Sequence, residues 1–252
     1  MSIIDSFDIK SPAVINLEDV CPKSSTAIDV CIINFSYKVM DALLKQNLLE
    51  ELDTPIKSVS CEYPVYRYKN TNIGVIKTTV GAPVAAVLLE EVGFVYSCKK
   101  FVMFGSCGGL DKSISPNKLI VPTHAYRDEG MSYHYAPPSD YITVKNSQEV
   151  GCILSKIGVE FVYGKTWTTD AFYRETKNNM EKRKKEGCIA VEMEVSACQA
   201  VADFRGIEFY NFLYRADNLD SSKWQRDLLG LITLDDRLKN FAVALEIAKN
   251  VI

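Results

Sequence analysis

The sequence predicts an α/β fold in which helices cover both faces of a mostly parallel or mixed sheet. Short apolar segments of strand length alternate with longer segments of helical periodicity along most of the chain. With 252 residues, of which 47% are hydrophobic, the chain can bury one large core. No internal repeat, low-complexity tract or Ser/Gly linker interrupts it, so we expect a single domain over residues 1–252.

The predicted strands are short apolar runs, several of which end at glycine or polar residues. In chain order they span residues 30–34, 58–68, 73–80, 100–104, 118–123, 163–169, 188–192 and 208–214. The second and third alternate in polarity around a turn at 69–72, which is typical of paired neighbouring strands. The segment from Tyr126 onward is polar and aromatic and is predicted as a loop.

The predicted helices are longer and mostly amphipathic. They span residues 37–48, 84–92, 148–157, 178–185, 195–205 and 238–252. Ligands of such sheets bind at the carboxyl ends of the strands. Four strand ends are therefore candidate site segments, at 105–109, 168–172, 192–194 and 215–220.

Composition and charge argue against several classes of protein. The net charge is −3 and no basic stripe is present, so a nucleic-acid partner is not expected. No apolar stretch is long enough for a membrane span, and residues 1–14 do not have the pattern of a signal peptide. The eight cysteines form no C-x-x-C pair and only two histidines exist, so we expect no metal site. We expect the thiols to be reduced, which is typical of a cytoplasmic location.

The glycine-rich segment 104–110 (FGSCGGL) follows a predicted buried strand. Glycines allow a ligand to approach the backbone, and the N–H groups of Gly105 and Ser106 could then face an anion. A tight turn without a ligand explains the same residues equally well. The spacing matches neither the dinucleotide-binding G-x-G-x-x-G motif nor a Walker loop.

Two acidic residues, Glu192 and Glu194, stand between a predicted buried strand and an apolar helix. Alternation along an extended segment would place both on one face, where carboxylates could accept hydrogen bonds from the vicinal hydroxyls of a ribose. Acids placed for the dipole at a helix N-terminus are the competing interpretation. At the next strand end, Asp217 could donate a proton to a leaving group, although an aspartate there is more often a cap or turn residue.

Aromatic residues accompany these acids. Phe172 could stack on a flat base, or it could belong to the core. The dense polar and aromatic segment 126–135 contains Arg127 and His134 and is predicted to form a rim of the binding site. His134 is the best general base by residue type, but a histidine among tyrosines is more often structural.

Six motifs occur in chain order: VGAP at 80–83, GSCGGL at 105–110, RDEGMSYHY at 127–135, TTDAFY at 168–173, VEME at 191–194 and AD at 216–217. Together they resemble the purine and uridine phosphorylase family, which also includes nucleosidases. The resemblance runs from about Ile73 to Ile252 and implies a three-layer α/β/α sandwich around a central mixed, partly barrel-like sheet. It also implies a homo-oligomer, from dimer to hexamer.

The resemblance implies roles for single residues. Glu194, with Glu192 beside it, binds the ribose hydroxyls and Met193 packs beneath the sugar. Phe172 stacks on the base and Val191 flanks it. Asp217 is implied as the acid that acts on N7 of a departing purine. Gly105, Ser106 and Lys38 are implied to bind phosphate as co-substrate, and no other cofactor is implied.

The chain departs from the family at the phosphate-binding positions. The early G-D-P-x-R segment of phosphorolytic members is replaced by Asn34-Phe35-Ser36-Tyr37-Lys38, and Met103 stands where a second arginine is usual. Methionine cannot replace the charged fork of an arginine. The glutamine and arginine of uridine-specific members are replaced by Thr176 and Asn178, which favours a purine-type leaving group.

Three hypotheses follow. We expect phosphorolysis of a purine-type nucleoside to free base and ribose 1-phosphate. A nucleoside hydrolase on the same fold would explain Met103 and the missing G-D-P-x-R segment. A non-catalytic nucleoside-binding protein is the third hypothesis, against which the presence of both Glu194 and Asp217 argues.

Overall fold

The computed structural model describes residues 2–59, 61–221, 224–226 and 231–252. The strands in these ranges are β1 (Val30–Asn34), β2 (Leu49–Glu51), β3 (Ile56–Lys57), β4 (Glu62–Tyr63), β5 (Val65–Tyr68), β6 (Ile73–Lys77), β7 (Lys100–Gly109), β8 (Leu119–Asp128), β9 (Tyr141–Thr143), β10 (Phe161–Thr169), β11 (Cys188–Glu192) and β12 (Glu208–Asn218).

The α-helices of the described ranges are α1 (Leu17–Val20), α2 (Tyr37–Lys45), α3 (Ala82–Val95), α4 (Ser132–Tyr135), α5 (Ser147–Lys156), α6 (Lys177–Lys185), α7 (Val195–Arg205) and α8 (Leu234–Val251). Short 3-10 helices lie at Ile3–Asp5 and Phe172–Arg174. Among the described helices, none combines the length and the apolarity that a membrane crossing requires.

The main sheet has ten strands and both parallel and antiparallel pairs. Its order is β11-β10-β8-β12-β7-β1-β6-β5-β2, with β9 added beside β8. β11 also pairs with β7, through Ala190 opposite Gly109 and Val191 opposite Gly108. This last pairing closes β7, β12, β8, β10 and β11 into a ring, which confirms the prediction of a mixed, partly barrel-like sheet.

Two hydrophobic cores lie on opposite sides of the sheet, and they account for the layers. One core contains the buried faces of α3 and α7. The other contains those of α2, α5 and α8, with Phe104 and Phe212 stacked at a centroid distance of 5.5 Å between sheet and helix. The three-layer α/β/α arrangement predicted from the sequence is therefore confirmed.

Most predicted elements are found, but two predictions are wrong. The segment 58–68 is not one strand: Pro64, which has no backbone N–H to donate, separates the small β3–β4 hairpin from β5. Ser60 lies outside the described residues. The segment after Tyr126 is not a loop at first, because β8 continues to Asp128, paired with β10.

Candidate active site

The ends of β7, β11 and β12, together with the short helix that follows β10, surround a cleft of about 410 Å³. Its lining contains eight residues predicted from the sequence: Gly105, Ser106, Phe172, Val191, Glu192, Met193, Glu194 and Asp217. It also contains residues for which no role was predicted: Phe35, Val80, Met103, Cys107, Gly108, Glu175, Leu213, Ala216 and Leu219. The strand ends therefore converge on one hollow.

A β-bulge in β12 directs Asp217 into the cleft. Arg215 pairs with Cys107 and Asp217 pairs with Gly108, so Ala216 is an extra residue in the strand. Both Ala216 and Asp217 consequently line the cleft. The indole Nε1 of Trp224 donates a hydrogen bond to Asp217 Oδ2 at 2.7 Å, which holds the carboxyl group in place.

Gly108 provides the room for this arrangement. A Cβ atom at this position would lie 2.6 Å from Leu219 Cδ1, 2.9 Å from Val191 Cγ1 and 3.2 Å from Asp217 Oδ1. A side chain on Gly108 would therefore push Val191 and Asp217 apart. The glycine is needed for close approach of side chains rather than for an unusual backbone conformation.

Glu192 is held entirely by the protein. Its Oε2 accepts hydrogen bonds from the backbone N–H groups of Glu194 and Val195, both at 2.7 Å, and its Oε1 accepts from the Thr168 hydroxyl. Burial raises the pKa of Glu192 to about 7. Glu192 thus caps the start of α7 and positions its neighbour. It also lines the cleft, and its expected contact with the sugar stays a prediction.

Glu194 lines the cleft together with Glu175 and Asp217. Only 8% of its surface is exposed, and its Oε1 accepts a hydrogen bond of 2.7 Å from the backbone N–H of Gly81. Burial and the negative charge of Glu192 raise its pKa to about 8. A buried carboxyl group is costly in the free protein, and a ligand with hydroxyl groups could donate further hydrogen bonds to it.

Glu175 is a site residue that the sequence did not reveal. It follows the short helix Phe172–Arg174 and lines the cleft. Burial and the nearby charge of Asp217 raise its pKa to about 7. The only sequence signal is an acidic residue shortly after the Phe172-Tyr173 pair, and nothing local indicates that it turns toward Asp217.

The apolar side of the cleft is formed by Phe172, Val191 and Met193. Phe172 is 50% exposed and belongs to the mouth of the cleft rather than to the core. Its ring lies against that of Tyr173, with 3.9 Å between the centroids. An exposed flat ring and aliphatic side chains in one lining are suited to contact with a planar heterocycle.

The wall formed by β7 contains a hydroxyl group but no cationic group. Ser106 projects into the cleft, and the ring of Phe35 packs so closely on Gly105 that an added Cβ would lie 3.2 Å from it. Met103 is 1% exposed and lines the same wall. Lys38, the expected cation, is exposed on α2 and does not line the cleft.

Arg127 and His134 do not form the predicted rim. Arg127 is buried; its Nε donates to the Ser132 hydroxyl at 2.8 Å and one of its terminal nitrogens donates to the Pro137 carbonyl at 2.7 Å. Its guanidinium also lies over the ring of Tyr133. His134 is exposed on α4, away from the cleft lining. The polar segment 127–135 is thus organised around its own arginine.

Comparison with known proteins gives an independent result. The sequence profile of the Phosphorylase superfamily matches residues 29–248. Similar curated proteins include "Purine nucleoside phosphorylase DeoD-type" from Bacillus cereus, Bacillus thuringiensis and Bacillus mycoides. Each is 26% identical over 158 residues, which cover 60% of this chain and 66% of the relative. The chain thus spans just under two thirds of the length of these relatives.

Proposed function

The chain belongs to the phosphorylase superfamily, and from that premise we propose that it cleaves a purine-type nucleoside by phosphorolysis. The products are the free base and ribose 1-phosphate. The observation that carries the proposal is the convergence of Glu194, Phe172 and Asp217 on one cleft. The names of the relatives, which are purine nucleoside phosphorylases, agree with it.

In this proposal the sugar lies over Met193, and Glu194 binds its vicinal hydroxyls. The base lies between Phe172 and Val191. The bond between C1′ and the base nitrogen breaks, and its electron pair goes to the base. Asp217 stabilises the departing base by donating a hydrogen bond or a proton to it, a contribution that is typically worth about 10²–10⁴-fold in rate.

Phosphate then forms the new bond, from one of its oxygens to C1′. The Ser106 hydroxyl and the backbone N–H groups around Gly105 are the donors on the adjacent wall of the cleft. Phosphate is in this sense a co-substrate, and we propose no other cofactor.

The test is a panel of purine and pyrimidine nucleosides incubated with the purified protein, with and without inorganic phosphate, followed by measurement of free base. We expect purine release that depends on phosphate. Asp217→Asn should slow release by at least about tenfold while nucleoside affinity changes much less, because the carboxyl group acts mainly as the bond breaks. Equal losses of rate and affinity would instead make Asp217 a structural residue.

Hydrolysis is a second candidate, favoured by one specific observation. Met103 and the ring of Phe35 occupy the wall on which phosphate would lie. Water is smaller than phosphate and needs no cationic grip. Base release at equal rates with and without phosphate would establish hydrolysis, and nucleoside binding without any release would point to a non-catalytic protein.

We also propose a cytoplasmic location and a homo-oligomer. None of the eight cysteines, all of which the structure describes, forms a disulfide, and five are buried, as is typical of a reducing compartment. Exposed rings near the cleft mouth (Phe172, Tyr173 and Trp224) are suited to contact with a second copy. Light scattering of the purified protein tests the assembly, and a monomeric mass would refute it.

A further inference from the structure

A smaller cavity of about 170 Å³ adjoins the main cleft. Phe35, Val80 and Ser106 line both spaces. The other lining residues of the side cavity are Asn34, Ser36, Val39, Phe104, Tyr214 and Arg237. A water molecule needs about 10–15 Å³ of such space, so the cavity has room for a small tetrahedral ion.

Arg237 reaches this cavity from α8, an element to which the sequence assigned no functional role. The helix is fixed at its start by Thr233, whose hydroxyl accepts a hydrogen bond from the Asp236 N–H at 3.1 Å. One turn after Arg237, Phe241 packs against Phe104 with ring centroids 6.5 Å apart. These contacts hold Arg237 beside the end of β7.

The guanidinium of Arg237 lacks a partner for part of its donor set. Its Nε is buried and has no hydrogen-bond partner among the described residues, and within the same residues Arg237 forms no ion pair. Asp236, the neighbouring acid on α8, is bound instead to Lys239 at 3.3 Å. A buried donor on a charged group is costly when unsatisfied, so a negatively charged ligand would relieve the cost.

The rest of the cavity is suited to an anion as well. No carboxylate occurs in its described lining, and Ser106 and Tyr214 contribute hydroxyl groups that can donate. Burial raises the pKa of Tyr214, which therefore stays a protonated donor, while the positive charge of Arg237 partly opposes the rise. Both the charge and the hydrogen-bond donors of the lining therefore favour an anion.

We propose that this side cavity is an oxyanion subsite in which Arg237, Ser106 and Tyr214 bind inorganic phosphate. Its identification as the co-substrate subsite rests on the proposed phosphorolysis. Arg237 on α8 would supply the positive charge of the subsite. Met103 on β7 is uncharged, and Lys38 is exposed on α2 and does not line the cleft. Ser106, which lines both spaces, would connect the ion to the nucleoside.

Calorimetric titration of the full chain with inorganic phosphate tests the subsite directly. We expect Arg237→Gln to weaken binding at least about tenfold, because it removes a charge-assisted hydrogen bond. Arg237→Lys should retain part of the affinity, since it keeps the charge but loses the planar fork. The matched control is Lys239→Gln, an exposed cation two residues further along α8, which should bind phosphate as the wild type does.

Two results would overturn the subsite: no phosphate binding by a folded wild type that binds nucleosides, or unchanged phosphate affinity in Arg237→Gln. If Arg237→Gln does not fold, Tyr214→Phe replaces it, and loss of a donor hydroxyl should weaken phosphate binding severalfold; unchanged affinity in Tyr214→Phe would likewise count against the subsite.

The base-release assay separates this proposal from the proposed function. Phosphate binding that depends on Arg237, together with base release that ignores phosphate, would refute phosphorolysis and leave the subsite standing. Phosphate-dependent release that is lost in Lys38→Gln but not in Arg237→Gln would support phosphorolysis and refute the subsite.

Discussion

Glu194 shows how a single side chain can be costly for stability and useful for binding. It is buried beside a second acid, and its pKa rises from an ordinary value of 4.5 to about 8. The folded protein therefore holds the Glu194 proton more tightly than the unfolded chain does. Below pH 4.5 both states are protonated, whereas between pH 4.5 and about 8 the unfolded chain ionises first and the folded state loses stability.

This cost predicts the behaviour of Glu194→Gln. The amide keeps the acceptor for the Gly81 N–H but cannot ionise, so the variant should be more stable than the wild type by a margin that grows up to about pH 8 and then levels off. We expect a gain on the order of 2 kcal/mol at about pH 8.5 and much less at about pH 5. Urea unfolding at both pH values measures it.

The exposed Glu50→Gln serves as the matched control and should show no such pH-dependent gain. The same Glu194→Gln variant should lose ribonucleoside affinity. A stability gain equal at both pH values would mean that ionisation of Glu194 is not its source.

At the residue scale, the sequence predicted that Glu194 and Asp217 lie in the cleft, but it did not predict which acid is hydrogen-bonded within the protein. Glu194 and Asp217 line the cleft as expected. Glu192 is taken up by the start of α7, and Glu175 enters the cleft without having been predicted. The spacing of acids along a strand end predicts that they cluster, but it does not predict which oxygen meets a backbone N–H. That depends on how the chain turns after Glu192.

At the scale of elements, the agreement is best where a hydrophobic pattern begins and ends within the core. β1, β11 and α7 have the predicted bounds. β7, β8 and β12 each continue four or more residues past the predicted end, through glycines and polar side chains. Backbone pairing persists there because neighbouring strands are still present. In β7 and β12 the apolar alternation stops because several side chains there face the cleft. In β8 it stops at polar residues such as Arg127, which is buried outside the cleft lining.

The end of α7 offers a test of element stability that does not involve the site. Gly206 caps the helix in the left-handed conformation, with φ 62° and ψ 44°, and its N–H donates to the Ala202 carbonyl. An added Cβ would meet nothing within 4 Å, so Gly206→Ala should cost about 1 kcal/mol through the backbone alone. Urea denaturation measures this loss.

Gly206→Asn should cost less, because asparagine tolerates the left-handed region. Kinetic constants should be unchanged in both variants, since α7 separates Gly206 from Glu194 by about 18 Å. A changed KM in Gly206→Ala would show that the end of α7 affects the cleft despite this distance.

At the scale of the whole molecule, the ring of five strands is the feature that local sequence signals could not predict. Its closure depends on Ala190 and Val191 of β11 meeting Gly109 and Gly108 of β7, residues about 80 positions apart. No turn or periodicity marks such a long-range pair. Resemblance to a family supplied the expectation, and the structure supplies the register.

The single domain that we expect from the sequence should unfold in one cooperative transition, and the two tryptophans can report it. Trp167 is 1% exposed in a core, whereas Trp224 is 58% exposed beside Asp217. In Trp224→Phe the fluorescence of Trp167 should follow the far-UV circular dichroism with the same urea midpoint, and in Trp167→Phe so should that of Trp224. Separate midpoints within either variant would show that the cleft region unfolds independently.

Because Ala216 is an extra residue in β12, the number of residues in the strand determines the side to which Asp217 points. Replacing Ala216 by another small residue would leave the number of residues in β12 unchanged, and the acid would still point inward. Deleting one codon between Arg215 and Asp217 would restore regular alternation and turn the carboxyl group to the opposite side of the strand. In the evolution of this gene, substitutions beside Asp217 should therefore be tolerated more readily than a one-residue deletion in β12.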